Sequence, residues 1–227
     1  MGASIEYREK IAILSLGSDE NRFSPEWITS VDALLDSVER DAQGLITTGE
    51  GKFFSNGLDL DWLMAHVDKA DWYAGEVQGL LARLLTFPLP TVAAVNGHAF
   101  GAGAMLAIAH DYRVMRADRG YYCFPEIDMN FSFTPGMSAL IQAKLTPQVA
   151  VKAMTTGHRY GGEEARAAGL VDDTVAEGAG VDAAAALLAG IVGKDAATLG
   201  AIKRTMYAGA SAALREGLEQ EHHGQLK

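Results

Sequence analysis

Two short segments combine glycines with small residues where an apolar strand pattern gives way to a helical one. They are Phe53-Phe54-Ser55-Asn56-Gly57-Leu58-Asp59-Leu60 and Asn96-Gly97-His98-Ala99-Phe100-Gly101-Ala102-Gly103-Ala104. A helix that starts at such a turn leaves backbone N–H groups without intrahelical acceptors, and its macrodipole favours negative charge there. Small residues let a ligand reach those groups. Two turns of this kind facing each other would hold one developing oxyanion between them, as stabilisation of an enolate or a tetrahedral intermediate requires. Each turn by itself also has a purely structural use: Gly57 permits a tight turn, and the Gly/Ala run lets a helix sit close on a sheet.

The second turn is not a dinucleotide fingerprint. After Gly101 and Gly103 the third glycine is expected three residues on, where Leu106 stands, so nicotinamide chemistry is disfavoured. His98 and His110 find no third ligand at zinc spacing, and no metal site is expected. Cys123 lies in no nucleophile motif and reads as a small buried hydrophobe. Asp59, at a helix start, reads as an N-terminal cap or dipole partner. His222-His223 reads as part of a solvated tail.

The elements that would position these turns follow from periodicity. Apolar runs predict strands over 10–16, 44–48 and 91–95, with further strands over 112–115, 121–124 and 170–175. Ser24-Pro25 announces a helix to about residue 40, with a capping serine and proline at its first position. Further helices are predicted over 59–67, 71–85, 101–110, 135–144, 147–155, 162–168, 181–192 and 195–221. Strand and helix alternate through about residue 125, which makes the chain an α/β protein. The later part is mostly helical, and no repeat of fixed period is visible.

The chain has 227 residues and a formal net charge of −10, which disfavours nucleic acid and anionic membrane surfaces as partners. Its 48% hydrophobic and 21% charged residues suit one globular unit, and the single Cys123 excludes a disulfide framework. No apolar stretch approaches the length of a membrane span. The opening residues do not look like a signal peptide, and the terminal triplet Gln225-Leu226-Lys227 is not a Ser-Lys-Leu address. A cytoplasmic location is expected.

In order and spacing, these segments resemble the crotonase, or enoyl-CoA hydratase/isomerase, superfamily. Besides the two turns the resemblance rests on Asp111-Tyr112-Arg113, Phe124-Pro125-Glu126-Ile127, Thr156-Gly157, Glu163-Glu164-Ala165 and Ala168-Gly169-Leu170-Val171. It implies a ββα spiral core over residues 1–194, and a C-terminal helical extension of the same fold over 195–227 that serves oligomerisation, as a homotrimer or a dimer of trimers. It further implies an acyl-CoA thioester substrate, with coenzyme A arriving as part of the substrate and no permanently bound cofactor. The thioester oxygen would sit between the backbone N–H groups of Leu58 and Ala102, and the CoA arm would run along Ser55, Asn56, Gly57, Leu58, Asp59 and Leu60. Ala102 departs from the commoner glycine.

Hydratases of this family use two glutamates to add water. The first of those positions is Met105 here, and the second is kept as Glu126. One carboxylate suffices for a 1,3-proton shift, so the pattern resembles a Δ3,Δ2-enoyl-CoA isomerase with Glu126 as the proton shuttle. A base facing an apolar pocket is expected to have a raised pKa. Asp128, two residues on along an extended segment, is expected to lie further from the turn. Trp62, Met105, Met129 and Phe131 are candidate acyl-pocket residues, and Lys203 and Arg204 are placed either against CoA phosphates or on the surface. The alternatives are another acyl-CoA enzyme of the superfamily, whether hydratase, thioester hydrolase or decarboxylase, and a non-catalytic acyl-CoA-binding protein.

Overall fold

The computed structural model describes residues 2–224, with side chains as far as residue 216. Gln225-Leu226-Lys227 and the side chains of His222-His223 lie outside the described residues.

The strands are β1 (Ser4–Arg8), β2 (Ile11–Ser15), β3 (Gly44–Thr48), β4 (Phe53–Ser55), β5 (Thr91–Val95), β6 (His98–Phe100), β7 (Tyr112–Arg116), β8 (Tyr122–Cys123) and β9 (Asp173–Val175). The helices are α1 (Pro25–Asp41), α2 (Leu60–Ala65), α3 (Ala70–Leu85), α4 (Ala102–Ala109), α5 (Pro135–Lys144), α6 (Pro147–Thr156), α7 (Gly162–Ala167), α8 (Gly180–Leu188), α9 (Ala196–Met206) and α10 (Ala208–Gly224). Their starts carry the chemistry expected of the sequence: Ser24, Asp59, Thr134 and Asp195 each accept a hydrogen bond from a backbone N–H three residues on, and α1, α5 and α6 begin with proline.

The strands form two sheets, a large one in the order β1-β2-β3-β5-β7-β9 and a small one in the order β4-β6-β8. Only β1 runs antiparallel to its neighbour, pairing Ser4 with Ser15 and Arg8 with Ile11. Three successive passes follow one path, with a strand in the large sheet, a strand in the small sheet, and then helix: β3–β4–α2–α3, β5–β6–α4, and β7–β8–α5. This is the ββα spiral with a helical C-terminal region. The passes differ in length, so they leave no fixed period in the sequence.

Both faces of the large sheet are covered, which is why β3 and β5 are buried along nearly their whole length and carry no charged residue. On one face Ile13, Ile46, Val92 and Val114 pack against Ala184 and Leu188 of α8. The other face carries Leu14, Leu45, Ala93 and Met115 into the main core with α1, α3 and α4.

The single helix expected over 195–221 is two helices, because Tyr207 leaves helical geometry (φ −110°, ψ 22°). Lys203, just before the break, donates to Leu89 O at 2.8 Å and to Asp111 Oδ2 at 2.5 Å. That tie fixes α9 on the core while α10 turns to pack on α3 and α5. Lys203 is only 3% exposed, which removes it from both placements read in the sequence. Arg204 points to solvent.

Strand pairing in the small sheet is what builds the site. Phe53 sits opposite His98 and Ser55 opposite Ala99, so β4 and β6 end side by side. The two glycine turns follow those ends.

Candidate active site

Each glycine turn fits only because the other has no side chain in its way. Gly57 has φ +80°, and a Cβ there would lie 2.7 Å from Phe100 O and 3.0 Å from the Ala102 nitrogen. A Cβ on Gly103 would run into Ser55, 2.8 Å from its Cβ. The glycines are needed for the fit itself, and that fit brings the two sets of amides together.

In the first turn almost every backbone donor is already engaged. Asn56 N donates to Glu20 O (2.8 Å), Gly57 N to Ser55 Oγ (3.1 Å), Asp59 N to Tyr73 Oη (2.8 Å) and Leu60 N to Leu58 O (3.1 Å). Among the described residues the Leu58 amide donates to no protein group. In the second turn Gly101 takes φ +52° and ψ −122°, a conformation open to glycine. The first helical bond of α4 runs from Met105 N to Gly101 O at 3.0 Å. The Ala102 amide ahead of it is likewise without a protein acceptor among the described residues.

Leu58 and Ala102 line one cavity of about 540 Å³, together with Glu126. Glu126 does not end an extended segment: residues Glu126–Met129 form a short 3-10 turn, closed by Phe131 N donating to Glu126 O at 3.0 Å. One carboxylate oxygen lies 3.5 Å from where a Cβ of Gly101 would stand, and the other is buried without a hydrogen-bond partner. Burial pushes this carboxyl up to about 7, because the site offers the charged form little compensation. The tight turn also corrects the expectation for Asp128, which lines the same cavity with its carboxylate against Gly157.

Of the other residues read from the sequence, Asn56, Leu60, Met105, Met129 and Phe131 line the cavity. Ser55, Gly57 and Asp59 do not line it and instead hold the first turn from behind. Ser55 Oγ donates to Asn21 O at 2.7 Å, Gly57 O accepts from Phe23 N at 2.9 Å, and Asp59 caps α2 by accepting from Trp62 N at 3.1 Å. Trp62 is also absent from the wall. Leu60 and Leu63, three apart on α2, face the cavity, which leaves Trp62 to stack on His66 at a centroid distance of 4.4 Å and to meet the Tyr73 ring at a tilt, 5.2 Å away.

Sequence reasoning missed Tyr73, Arg22, Phe100, Arg159 and Met137 on the wall. Tyr73 matters most, because its hydroxyl accepts from Asp59 N and donates to Phe23 O at 2.7 Å, clamping both flanks of the first turn. Its only signal was a helical apolar position on α3. Cys123 also lines the cavity; its thiol donates to Gly157 O at 3.3 Å, and burial pushes its pKa up to about 11, which keeps it protonated.

His110 is fully buried. It bonds Leu106 O and Thr47 Oγ1, each at 2.8 Å. The carbonyl can only accept, so Nδ1 carries the proton and Nε2 accepts from Thr47. Burial pushes this imidazole down to about 4, and it remains neutral as a tie between α4 and β3. His98 is lowered too, by burial and then by the nearby cations of Lys52, Arg119 and Arg159.

Two free amides converging on a cavity, with one carboxyl poised near neutrality beside them, can stabilise an oxyanion and move a proton. Residues 7–226 match the family model described as Enoyl-CoA hydratase/isomerase. The chain is 40% identical over 185 residues to Enoyl-CoA delta isomerase 3 of Arabidopsis thaliana, covering 78% of each chain. It is 38% identical to Enoyl-CoA delta isomerase 2, peroxisomal, of the same plant, over 74% of this chain and 75% of that one. A crystal structure of a probable enoyl-CoA hydratase from Mycobacterium tuberculosis matches with a TM-score of 0.90 at 26% identity, covering 99% of this chain and 96% of that one. No helix among the described residues is long and apolar enough to cross a membrane.

Proposed function

The chain belongs to the enoyl-CoA hydratase/isomerase family, and on that premise we propose that it moves the double bond of a 3-enoyl-CoA to the 2-position. The thioester oxygen accepts from the Leu58 and Ala102 amides. Glu126, ionised, takes a proton from C2, and the electron pair delocalises through the thioester and the C3=C4 bond as a dienolate. The same carboxyl returns the proton to C4, leaving the C2=C3 bond conjugated with the thioester. Nothing is added or lost, so one proton carrier is enough. Removal of one such amide donor typically slows an enzyme by roughly 10²–10³-fold, a measure of what each contributes.

The observation that carries this reading is the Glu126 carboxyl beside Gly101, with one oxygen buried and unpartnered and its pKa raised by burial to about 7. A base whose pKa sits near the working pH both accepts and returns a proton readily. Met105, a side chain that exchanges no protons, lines the same cavity. A second reading, hydration of a 2-enoyl-CoA, is favoured only by Asp128 on that wall, which would serve as the second carboxylate. Ultraviolet absorbance of the conjugated thioester separates the two: an isomerase generates absorbance from 3-enoyl-CoA and leaves 2-enoyl-CoA unchanged, whereas a hydratase bleaches the 2-enoyl substrate. We further expect a trimer or dimer of trimers, tested by light scattering, and a cytoplasmic location, tested by cell fractionation.

A further inference from the structure

Two arginines line the cavity, and they are in opposite situations. Arg22, beside the first turn, is held by Glu20 at 2.5 Å and by Asp61 at 2.7 Å. Arg159 has no hydrogen bond or ion pair among the described residues; its guanidinium lies over the Phe100 ring, 5.8 Å from the centroid. Phe100 directly precedes Gly101, against which the Glu126 carboxyl rests. Arg159 therefore belongs to the wall that carries the proton shuttle, and Arg22 to the wall of the first turn. Asp128 shares the Arg159 wall, but its carboxylate is turned against Gly157 and makes no ion pair with the guanidinium.

Arg159 is exposed, so water meets its charge in the open cavity, and a wholly apolar acyl chain lying against it offers no partner in place of that water. A guanidinium with no partner of its own offers a fork of N–H donors that matches the two oxygens of a carboxylate. The geometry points to an acyl chain that ends in a carboxylate, bound by Arg159, so that the substrate class is the mono-CoA thioester of an unsaturated dicarboxylic acid. This inference rests on the reading that a CoA thioester fills the cavity. Phe100 holds the guanidinium in place, and the carboxylate replaces the water that an apolar chain would strip from it.

The test uses binding of unreactive saturated probes, so its outcome is separate from whether the protein isomerises anything. Dissociation constants of hexanoyl-CoA and of its ω-carboxylated six-carbon counterpart, adipoyl-CoA, are measured by calorimetry for the full chain and for Arg159→Gln and Arg159→Lys. The ω-carboxylated probe is expected to bind the wild type about tenfold more tightly than hexanoyl-CoA, with that preference lost in Arg159→Gln and partly kept in Arg159→Lys. Equal affinities in the wild type, or a preference that persists in Arg159→Gln, overturn the inference. If Arg159 instead meets a phosphate of the CoA arm, Arg159→Gln weakens both probes by the same factor and the wild-type preference is absent, which also overturns it.

Discussion

Replacing Glu126 by glutamine should make the fold more stable in a pH-dependent way, and the size of the effect follows from burial. The carboxyl is raised from 4.5 to about 7 in the folded chain, and one pH unit of difference corresponds to ~1.4 kcal/mol. Below pH 4.5 the folded and unfolded chains both carry the proton, and the group contributes nothing. Between 4.5 and 7 the unfolded chain ionises while the folded one holds its proton, so the wild type loses stability as pH rises. Above 7 the loss is complete, at ~3 kcal/mol in full and ~2 kcal/mol once water in the open cavity is allowed for.

Glutamine cannot ionise, and the variant escapes this loss. His110 acts in the opposite direction, since an imidazole pushed down to about 4 costs stability as pH falls from 6.5 towards 4. It is present in both proteins and cancels in their difference. Urea denaturation of wild type and Glu126→Gln at one protein concentration, from pH 4.5 to 8.5, should give a stability difference that grows with pH and levels off above 7. A difference that stays flat across this range would falsify the burial argument. The same ionisation sets activity: wild-type kcat/KM should rise with pH up to about 7 and then level off.

Three other substitutions separate the parts of the site. Ala102→Pro removes one amide donor at the first position of α4, where proline is tolerated and Gly101 has no Cβ to clash with it; kcat should fall by roughly 10²-fold while the unfolding midpoint changes little. Tyr73→Phe leaves Asp59 N and Phe23 O unpaired, so stability should drop by ~1–3 kcal/mol. Because the Leu58 amide rides on the turn this hydroxyl clamps, kcat should suffer more than KM in steady-state kinetics. Lys203→Ala takes away the cation that pairs with Asp111, leaving that carboxylate only the Thr91 N–H among the described residues, and frees α9, which should cost ~3 kcal/mol or more in denaturation. Its affinity for CoA thioesters, measured by calorimetry, should equal the wild type's, since Lys203 lies in the core and away from the cavity.

What could be read from the chain was what short-range chemistry encodes. Ser24-Pro25 and Asp59 announce their helices through caps, the glycines at 57 and 103 mark places where a side chain cannot fit, and Gly101 marks a backbone with φ +52° that suits glycine. Of the small sheet only the third strand was legible, over 121–124; β4 and β6, three residues each beside the glycine turns, have no periodicity and exist only through distant partners. β1 was missed for a related reason: as an edge strand it exposes most of its residues and shows no apolar face. The 3-10 turn at Glu126 was hidden by its proline-led, strand-like context, and with it the approach of Asp128 to the cavity. Tyr73 and Arg159 carry no motif at all, since they reach the site only when α3 and the α6–α7 loop pack around it. Trp62 misled because aromatic character says nothing about which face of a short helix it occupies.

The most direct test of the central claim is turnover by Glu126→Gln on 3-enoyl-CoA, measured on protein whose binding of saturated acyl-CoA has been shown intact. A single carboxyl that carries the proton from C2 to C4 predicts loss of conjugation by roughly 10³-fold or more with the dissociation constant unchanged. Conjugation that persists within a few-fold of the wild type would contradict it and place the proton transfer on another group.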